Sequence, residues 1–222
     1  MEPGVPLDEV KAPTNEFFER AKARLNREVT PALTDFDAPA RIRGDLDLDP
    51  VLWEKAGVKA TRPAAVLVPV VARPEPAVLL TLRTPDLKSH SGQIAFPGGR
   101  IDPGEDAIAA ALREAHEEIL LDPKAVELVG AIEPYHTVTG YVVTPVIGVI
   151  PPDLPLEPHE HEVADWFEAP LGFLLEPANQ QRRSALFQGR ERHYYEIDWN
   201  GRRIWGATAA MIVNLSRRLK WS

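Results

Sequence analysis

Glu114, Glu117 and Glu118 fall within one stretch, GRIDPGEDAIAAALREAHEEILL from Gly99 to Leu121, which opens on glycine and continues with helical periodicity. With Glu114 set at zero on a wheel of about 100° per residue, Glu118 falls at about 40° and Glu117 at about 300°. Three carboxylates on one helical face, with no lysine among them, repel one another unless positive charge lies between them. A divalent cation is the natural candidate, and oxygen ligands alone suit Mg²⁺ or Mn²⁺. Metal-dependent hydrolysis is the chemistry this spacing favours. The plain alternative for REAHEE, taken alone, is a solvated charge-laced surface.

The helix that carries these groups spans roughly residues 105–120, with Ile108, Leu112, Ala115 and Ile119 gathered at about 100–160° as its core side. Ala110 and Ala111 are expected to leave the carboxylate wall unobstructed. Arg113 can pair with Glu117 one turn on or reach back to Glu105. Asp102, Pro103 and Glu105 fit a capping box, and Asp106 is an alternative cap that starts the helix later. Gly98, Gly99 and Gly104 ahead of it permit a close approach of backbone to a phosphate chain.

Around this device the sequence predicts a mixed, mostly antiparallel β-structure with helices packed on it, an α+β fold. AAVLVPVVA, residues 64–72, reads as a buried strand in which Pro69 demands a bulge or an unpaired edge position. AVLLTLR and QIAF give two more strands, VELVGAIEPY and GYVVTPVIGVI another two, and HEVADWFEAPLGFLL a strand and a short helix. HYYEIDW and RRIW flank Asn200-Gly201 as a type I′ hairpin. A last helix near residues 207–220 turns Met211, Ile212, Leu215 and Leu219 inward, with Arg217, Arg218 and Lys220 in its final turn. Residues 15–27 read as a short amphipathic helix and residues 29–63 as a Pro- and Asp-rich wrap. This divides the chain into an extension over 1–60 and a main domain over 61–222.

A net charge of −8 argues against a non-specific nucleic-acid binder. It also requires cations, or a local arginine cluster, for any anionic substrate. With no cysteine there is no disulfide, thiolate site or cysteine nucleophile. The N-terminus has no secretory character and the longest apolar runs are too short to span a bilayer, so a cytoplasmic protein without membrane partners is expected.

The helix and its loop resemble the Nudix box: Gly99, Glu105, Arg113, Glu114, Ala115, Glu117, Glu118 and Leu121 stand at its places, with Leu120 where the family has a helix-ending glycine. The resemblance implies a Nudix fold with mixed, mostly antiparallel sheets sandwiched by helices, and hydrolysis of a nucleoside diphosphate derivative. It assigns Glu114 and Glu118 as the main metal ligands, Glu117 as a ligand or holder of metal-bound water, Gly99 as a carbonyl contact, and Glu105 and Arg113 as braces. A general base is also required, with Glu162, Glu117 and Glu114 as candidates. Glu162 stands beside His159, Glu160 and His161, a weak zinc pattern.

Upstream, LLTLRTPDLKSHSGQIAFPGG is similar to the signature of the coenzyme A pyrophosphatase group within that family, through Arg83, His90, Phe96 and Gly98 among others, with Lys88 where the group often has arginine. This implies cleavage of coenzyme A to 3′,5′-ADP and 4′-phosphopantetheine. Arg83, Lys88, His90, Phe96 and Gly98 are the expected substrate contacts. The arginines at 182, 183, 190 and 192 are available for the 3′-phosphate, and Tyr135, Tyr194 and Trp205 for adenine. ADP-ribose, NADH or a dinucleoside polyphosphate are the alternative substrates, and a non-catalytic binding module of the same fold is the alternative function. Residues 1–60 would cap the cleft or join a partner in a homodimer.

Overall fold

The run RPAAVLVPVV has too little polarity for a surface strand, and it forms the centre of the main sheet. The computed structural model describes residues 17, 19–21, 23–25, 44–48, 62–85, 91–187 and 189–221. In it β1, Arg62–Val71, runs parallel to β7, Tyr141–Ile150, in an unbroken register from Arg62↔Tyr141 to Val71↔Ile150. Its side chains alternate between two cores, as strand geometry requires. Ala65, Leu67 and Val71 enter one, and Val68 and Val70 the other.

Pro69 is not in a bulge; it takes an unpaired position on one side of β1, although β1 lies at the centre of the sheet. The opposite side of β1 is shared by two antiparallel partners, β4 (Gly98–Arg100) along Ala64–Val66 and β2 (Ala77–Arg83) along Val70–Val71. The Leu67 N–H donates to Pro97 O on that side, whereas the Ala72 N–H donates to Ile150 O at the end of β7. Odd-numbered donors therefore point away from β7. The donor that Pro69 lacks falls in the gap where one partner hands over to the next.

The remaining strands of this eight-stranded sheet are β3 (Ile94–Ala95) and β8 (Val163–Pro170) beside β2, and β5 (Glu127–Ala131) and β6 (Tyr135–His136) beside β7. One face is covered by α1, Ala107–Ile119. The other is covered by α2 (Leu171–Leu175), α3 (Ala207–Leu219) and the buried Phe17, Ala21 and Leu25. A three-stranded antiparallel sheet completes the fold: β9 (Gln181–Phe187), β10 (Arg190–Trp199) and β11 (Arg202–Trp205). The turn from β10 to β11 has positive φ at both Asn200 and Gly201, as a type I′ hairpin requires. The sequence reading omitted β9, because residues 181–186 are all exposed and carry no alternation to read. Among the described residues no helix is long and apolar enough to cross a membrane. Most of residues 1–60, including most of the Pro- and Asp-rich stretch, lie outside the described residues.

Helix α1 starts at the later of its two candidate caps. Asp106 Oδ1 accepts from the Ala109 N–H at 2.8 Å. Asp102 and Glu105 close a turn just ahead, the Asp102 N–H donating to Glu105 Oε2 and the Glu105 N–H to Asp102 O, each at 3.0 Å. At the other end Leu120 takes the left-handed conformation of the missing glycine, φ 53° and ψ 27°; its N–H donates to His116 O and the Leu121 N–H to Ala115 O.

Ala110 and Ala111 do not border an open wall: both are fully buried, and with Ala107 and Ala115 they seat α1 on the sheet. Small side chains here let the helix axis approach the strands. Replacing Ala111 by leucine is therefore expected to cost about 1–3 kcal/mol by overpacking. Urea denaturation checks this; an unchanged midpoint would mean the position is open.

Candidate active site

The buried arc of α1 decides where the carboxylates point. Ala107, Ala110, Ala111 and Ala115 surround the position of Glu118 on the helical wheel, so Glu118 faces inward among them and is 2% exposed. The Glu114 side chain is 16% exposed and that of Glu117 57%. The three carboxylates thus range from core to solvent along one side of the helix, instead of standing as an even wall.

Strand β4 makes room for them. Its Gly98 and Gly99 lie between β1 and α1, opposite Val66 and Ala65. A Cβ on Gly98 would stand 2.4 Å from Ala65 O and 2.6 Å from Val66 Cα. A Cβ on Gly99 would stand 2.4–2.5 Å from the Glu114 carboxylate. The space over Gly99 is therefore held by a carboxylate, as tightly as backbone and side chain can approach.

Arg113 satisfies both of its predicted partners. Its Nε and Nη2 grip Glu105 at 2.8 and 3.0 Å, its Nη1 donates to Glu114 Oε1 at 2.9 Å and Glu117 Oε2 at 3.0 Å, and Nη2 also donates to Arg100 O at 3.0 Å. One guanidinium ties the loop to the helix and supplies positive charge among three carboxylates. The hydrogen bonds from Arg113, then the Asp102 N–H, hold the Glu105 carboxyl below the usual range.

Glu118 is the chemically unsettled group. Its Oε1 lies 3.5 Å from Arg83 Nη1, while its buried Oε2 and the buried Nε of Arg83 have no hydrogen-bond partner among the described residues. Burial pushes its pKa up to about 8; Arg83 and the Gly98 N–H oppose the rise, and Glu114 and Glu162 add to it. Burial likewise raises Glu114, against Arg113 and with Glu117 and Glu162. Glu162, far along the chain, is therefore part of this electrostatic neighbourhood. The loop before β8 brings it there: His159 N–H donates to Glu118 O, and Thr84 N–H to Glu162 O.

Other expected contacts are distributed differently. Phe96 is 4% exposed inside the core on the α3 side, so its ring packs the turn into β4 instead of lining an open surface. Tyr135 is fully buried and its hydroxyl donates to Asp45. Tyr194 and Trp205 meet edge to face on the small sheet with Arg203 over both rings, and Arg203 and Arg183 pair with Glu196. His159 and His161 touch edge to face. Lys88 and His90 lie outside the described residues.

The sequence reading missed the Arg83–Glu118 pair, although its signals were present. Alternation along β2 puts Arg83 on the side of Ala77 and Leu79, which is the α1 side. Four alanines around one glutamate mark that glutamate as buried.

Among the described residues no three histidine, aspartate or glutamate side chains converge as a ready-made metal cage; Arg113 ties two of the glutamates instead. The donor set nonetheless fits a hard divalent cation. Glu118 Oε2 is buried with an unused acceptor, Glu114 lies beside it, and the glycine at 99 leaves no side chain between helix and loop.

A NUDIX domain model matches residues 61–188. The chain is 45% identical over 160 residues to the uncharacterized Nudix hydrolase NudL of Escherichia coli, covering 71% of this chain and 83% of that protein. NudL of Shigella boydii matches equally, 45% over 160 residues. Among solved structures, a Nudix hydrolase from M. smegmatis, RenU, is 27% identical with a TM-score of 0.44, over 51% of this chain and 73% of that one. A C. elegans Ap4A hydrolase is 22% identical with a TM-score of 0.42, over 50% and 80%.

Proposed function

The chain belongs to the Nudix family of hydrolases, and from that premise we propose that it is a Mg²⁺- or Mn²⁺-dependent diphosphatase of coenzyme A and its thioesters. The observation that carries the catalytic part is the inward-facing Glu118, buried with an unused acceptor, beside the half-buried Glu114 over Gly99, an acidic pair whose charge calls for a cation. Glu118, Glu114 and the Gly99 carbonyl would hold it, with Glu117 at the solvent side. A divalent cation bound there would supply the charge to neutralise the diphosphate and to orient the attacking water.

The chain's own residues supply the rest. Arg113 keeps Glu105, Glu114 and Glu117 in fixed relation, so the acidic groups need not reorganise when substrate arrives. Glu162, then Glu117 and Glu114, are the groups to take the proton from water as its oxygen adds to phosphorus and the bridging P–O bond breaks. Arg83, at the end of β2, is the cation paired with the buried carboxylate among the described residues and faces the same side, suited to a phosphate oxygen.

The substrate assignment is supported by the segment from Leu79 to Gly99, which carries the coenzyme A signature and leads directly into the glycines under Glu114. Coenzyme A is expected to be hydrolysed with a higher kcat/KM than dephospho-coenzyme A or ADP-ribose, because only it offers the 3′-phosphate. Initial rates on the three with Mg²⁺ or Mn²⁺ decide the matter. Coenzyme A as the poorest of them overturns the substrate assignment and leaves a Nudix hydrolase of another nucleoside diphosphate derivative.

A further inference from the structure

The far end of α3 holds a second feature that the catalytic reading does not use. A cavity of about 390 Å³ opens between α3, the small sheet and the turn Pro177–Asn179. Its lining includes Arg182, Arg217 and Lys220 with Tyr195, Trp221 and Gln180, and no aspartate or glutamate. This is unexpected in a chain with 33 acidic and 25 basic residues. Among the described residues none of the three cations has a carboxylate partner. Arg182 reaches only the Leu48 carbonyl at 3.4 Å, and Arg217 only the Tyr195 hydroxyl at 3.2 Å and its ring.

A helix C-terminus normally disfavours anions. Here that end is already neutralised: Arg20 donates to Lys220 O at 2.7 Å, and Arg24 donates to Leu219 O. Six basic side chains thus gather at one end of one helix, Arg218 among them with its own partner Glu133 at 3.0 Å, beside the half-buried rings of Tyr195 and Trp221. Cations without carboxylate partners converging on a concave surface concentrate positive potential, and guanidinium groups bind phosphate in a planar fork. Arg20 lies over the Trp221 ring at 5.1 Å and Arg217 over the Tyr195 ring at 5.9 Å, so a stacked base takes the opposite ring face.

We propose that this cavity binds a nucleotide, its phosphate on Arg182, Arg217 and Lys220 and its base against Trp221 or Tyr195. The site is separate from the acidic one. Helix α3 and helix α1 cover opposite faces of the eight-stranded sheet. The near end of α3 meets β3, where Thr208 Oγ1 donates to Ile94 O. The cavity lies at the other end, about 20 Å along a helix of this length. The inference is independent of the substrate of the catalytic centre.

The test is calorimetric titration of the full chain with AMP in excess EDTA, alongside adenosine and inorganic phosphate. Saturable binding of one AMP per chain is expected, at least tenfold tighter than either adenosine or phosphate. It should weaken tenfold or more in the Arg217→Ala/Lys220→Ala double variant, whose exposed positions leave the fold intact as checked by thermal melting. Glu118→Gln should bind AMP as the wild type does. No saturable binding, or binding in the double variant equal to wild type, overturns the site. Binding lost in Glu118→Gln overturns its separateness, and phosphate binding as tightly as AMP overturns the role of the rings.

Discussion

Glu118→Gln is expected to make the metal-free protein more stable at pH 8 while reducing hydrolysis at least about a hundredfold. The two effects have one cause. Burial raises the Glu118 pKa to about 8 from an ordinary 4.5, so the folded state binds a proton there that the unfolded chain has released. Over that window the folded state holds more protons than the unfolded one, and stability falls as pH rises from about 4.5 through about 8. Once Glu118 is ionised without a cation, the loss is on the order of a few kcal/mol. A glutamine keeps the shape and cannot ionise. Its advantage over wild type should therefore grow from pH 4.5 to pH 8 in EDTA, and Mn²⁺ should narrow it by stabilising the wild type alone. Thermal melts over that pH range, with and without Mn²⁺, read both signs. A variant no more stable than wild type at pH 8 in EDTA would show that Glu118 carries no buried-charge penalty.

That penalty also explains which parts of the molecule could be read in advance. Where side-chain periodicity reports burial directly, reading was straightforward. The strands flanking Pro74–Pro76, the Asn200-Gly201 hairpin and the inward Met211, Ile212, Leu215 and Leu219 all follow from alternation, turn chemistry or helical spacing. Pro69 was harder, because its missing donor can be absorbed by a bulge, an edge or a change of partner, and only the sheet topology selects among them. Strand β9 is exposed along residues 181–186 and has no pattern to detect. Helix α1 misled for a different reason. A charged residue is ordinarily assigned to the wet side, so Glu118 pulled the inferred core face toward Ile108 and Leu112. In the structure those two are only partly buried and the alanines define the seat. A buried glutamate violates the local rule of polar residues outward. Such a violation, costing stability without a structural return, is the kind of local conflict expected at functional sites.

The glycines of β4 separate fold from function most sharply. A Cβ added at either would collide, but with different neighbours. At Gly98 an added methyl would strike Ala65 O and Val66 Cα, which are backbone atoms of the central strand and cannot yield. Gly98→Ala is therefore expected to destabilise the protein by about 3 kcal/mol or more, as other severe overpacking does. At Gly99 the collision is with the far end of Glu114, a side chain free to rotate away. Gly99→Ala should then fold within about 1 kcal/mol of wild type, with the Glu114 carboxylate displaced by roughly 1 Å, a shift large enough to cost about a hundredfold in kcat/KM. Displacing Glu114 also takes it from its place over Gly99 beside Glu118, so Mn²⁺ binding to Gly99→Ala should weaken together with the rate. Denaturation midpoints, Mn²⁺ titration and hydrolysis rates of the two variants give the answer. If Gly99→Ala keeps full activity, Glu114 is not a ligand; if it unfolds as Gly98→Ala does, the contact between helix and loop serves the fold before it serves the chemistry.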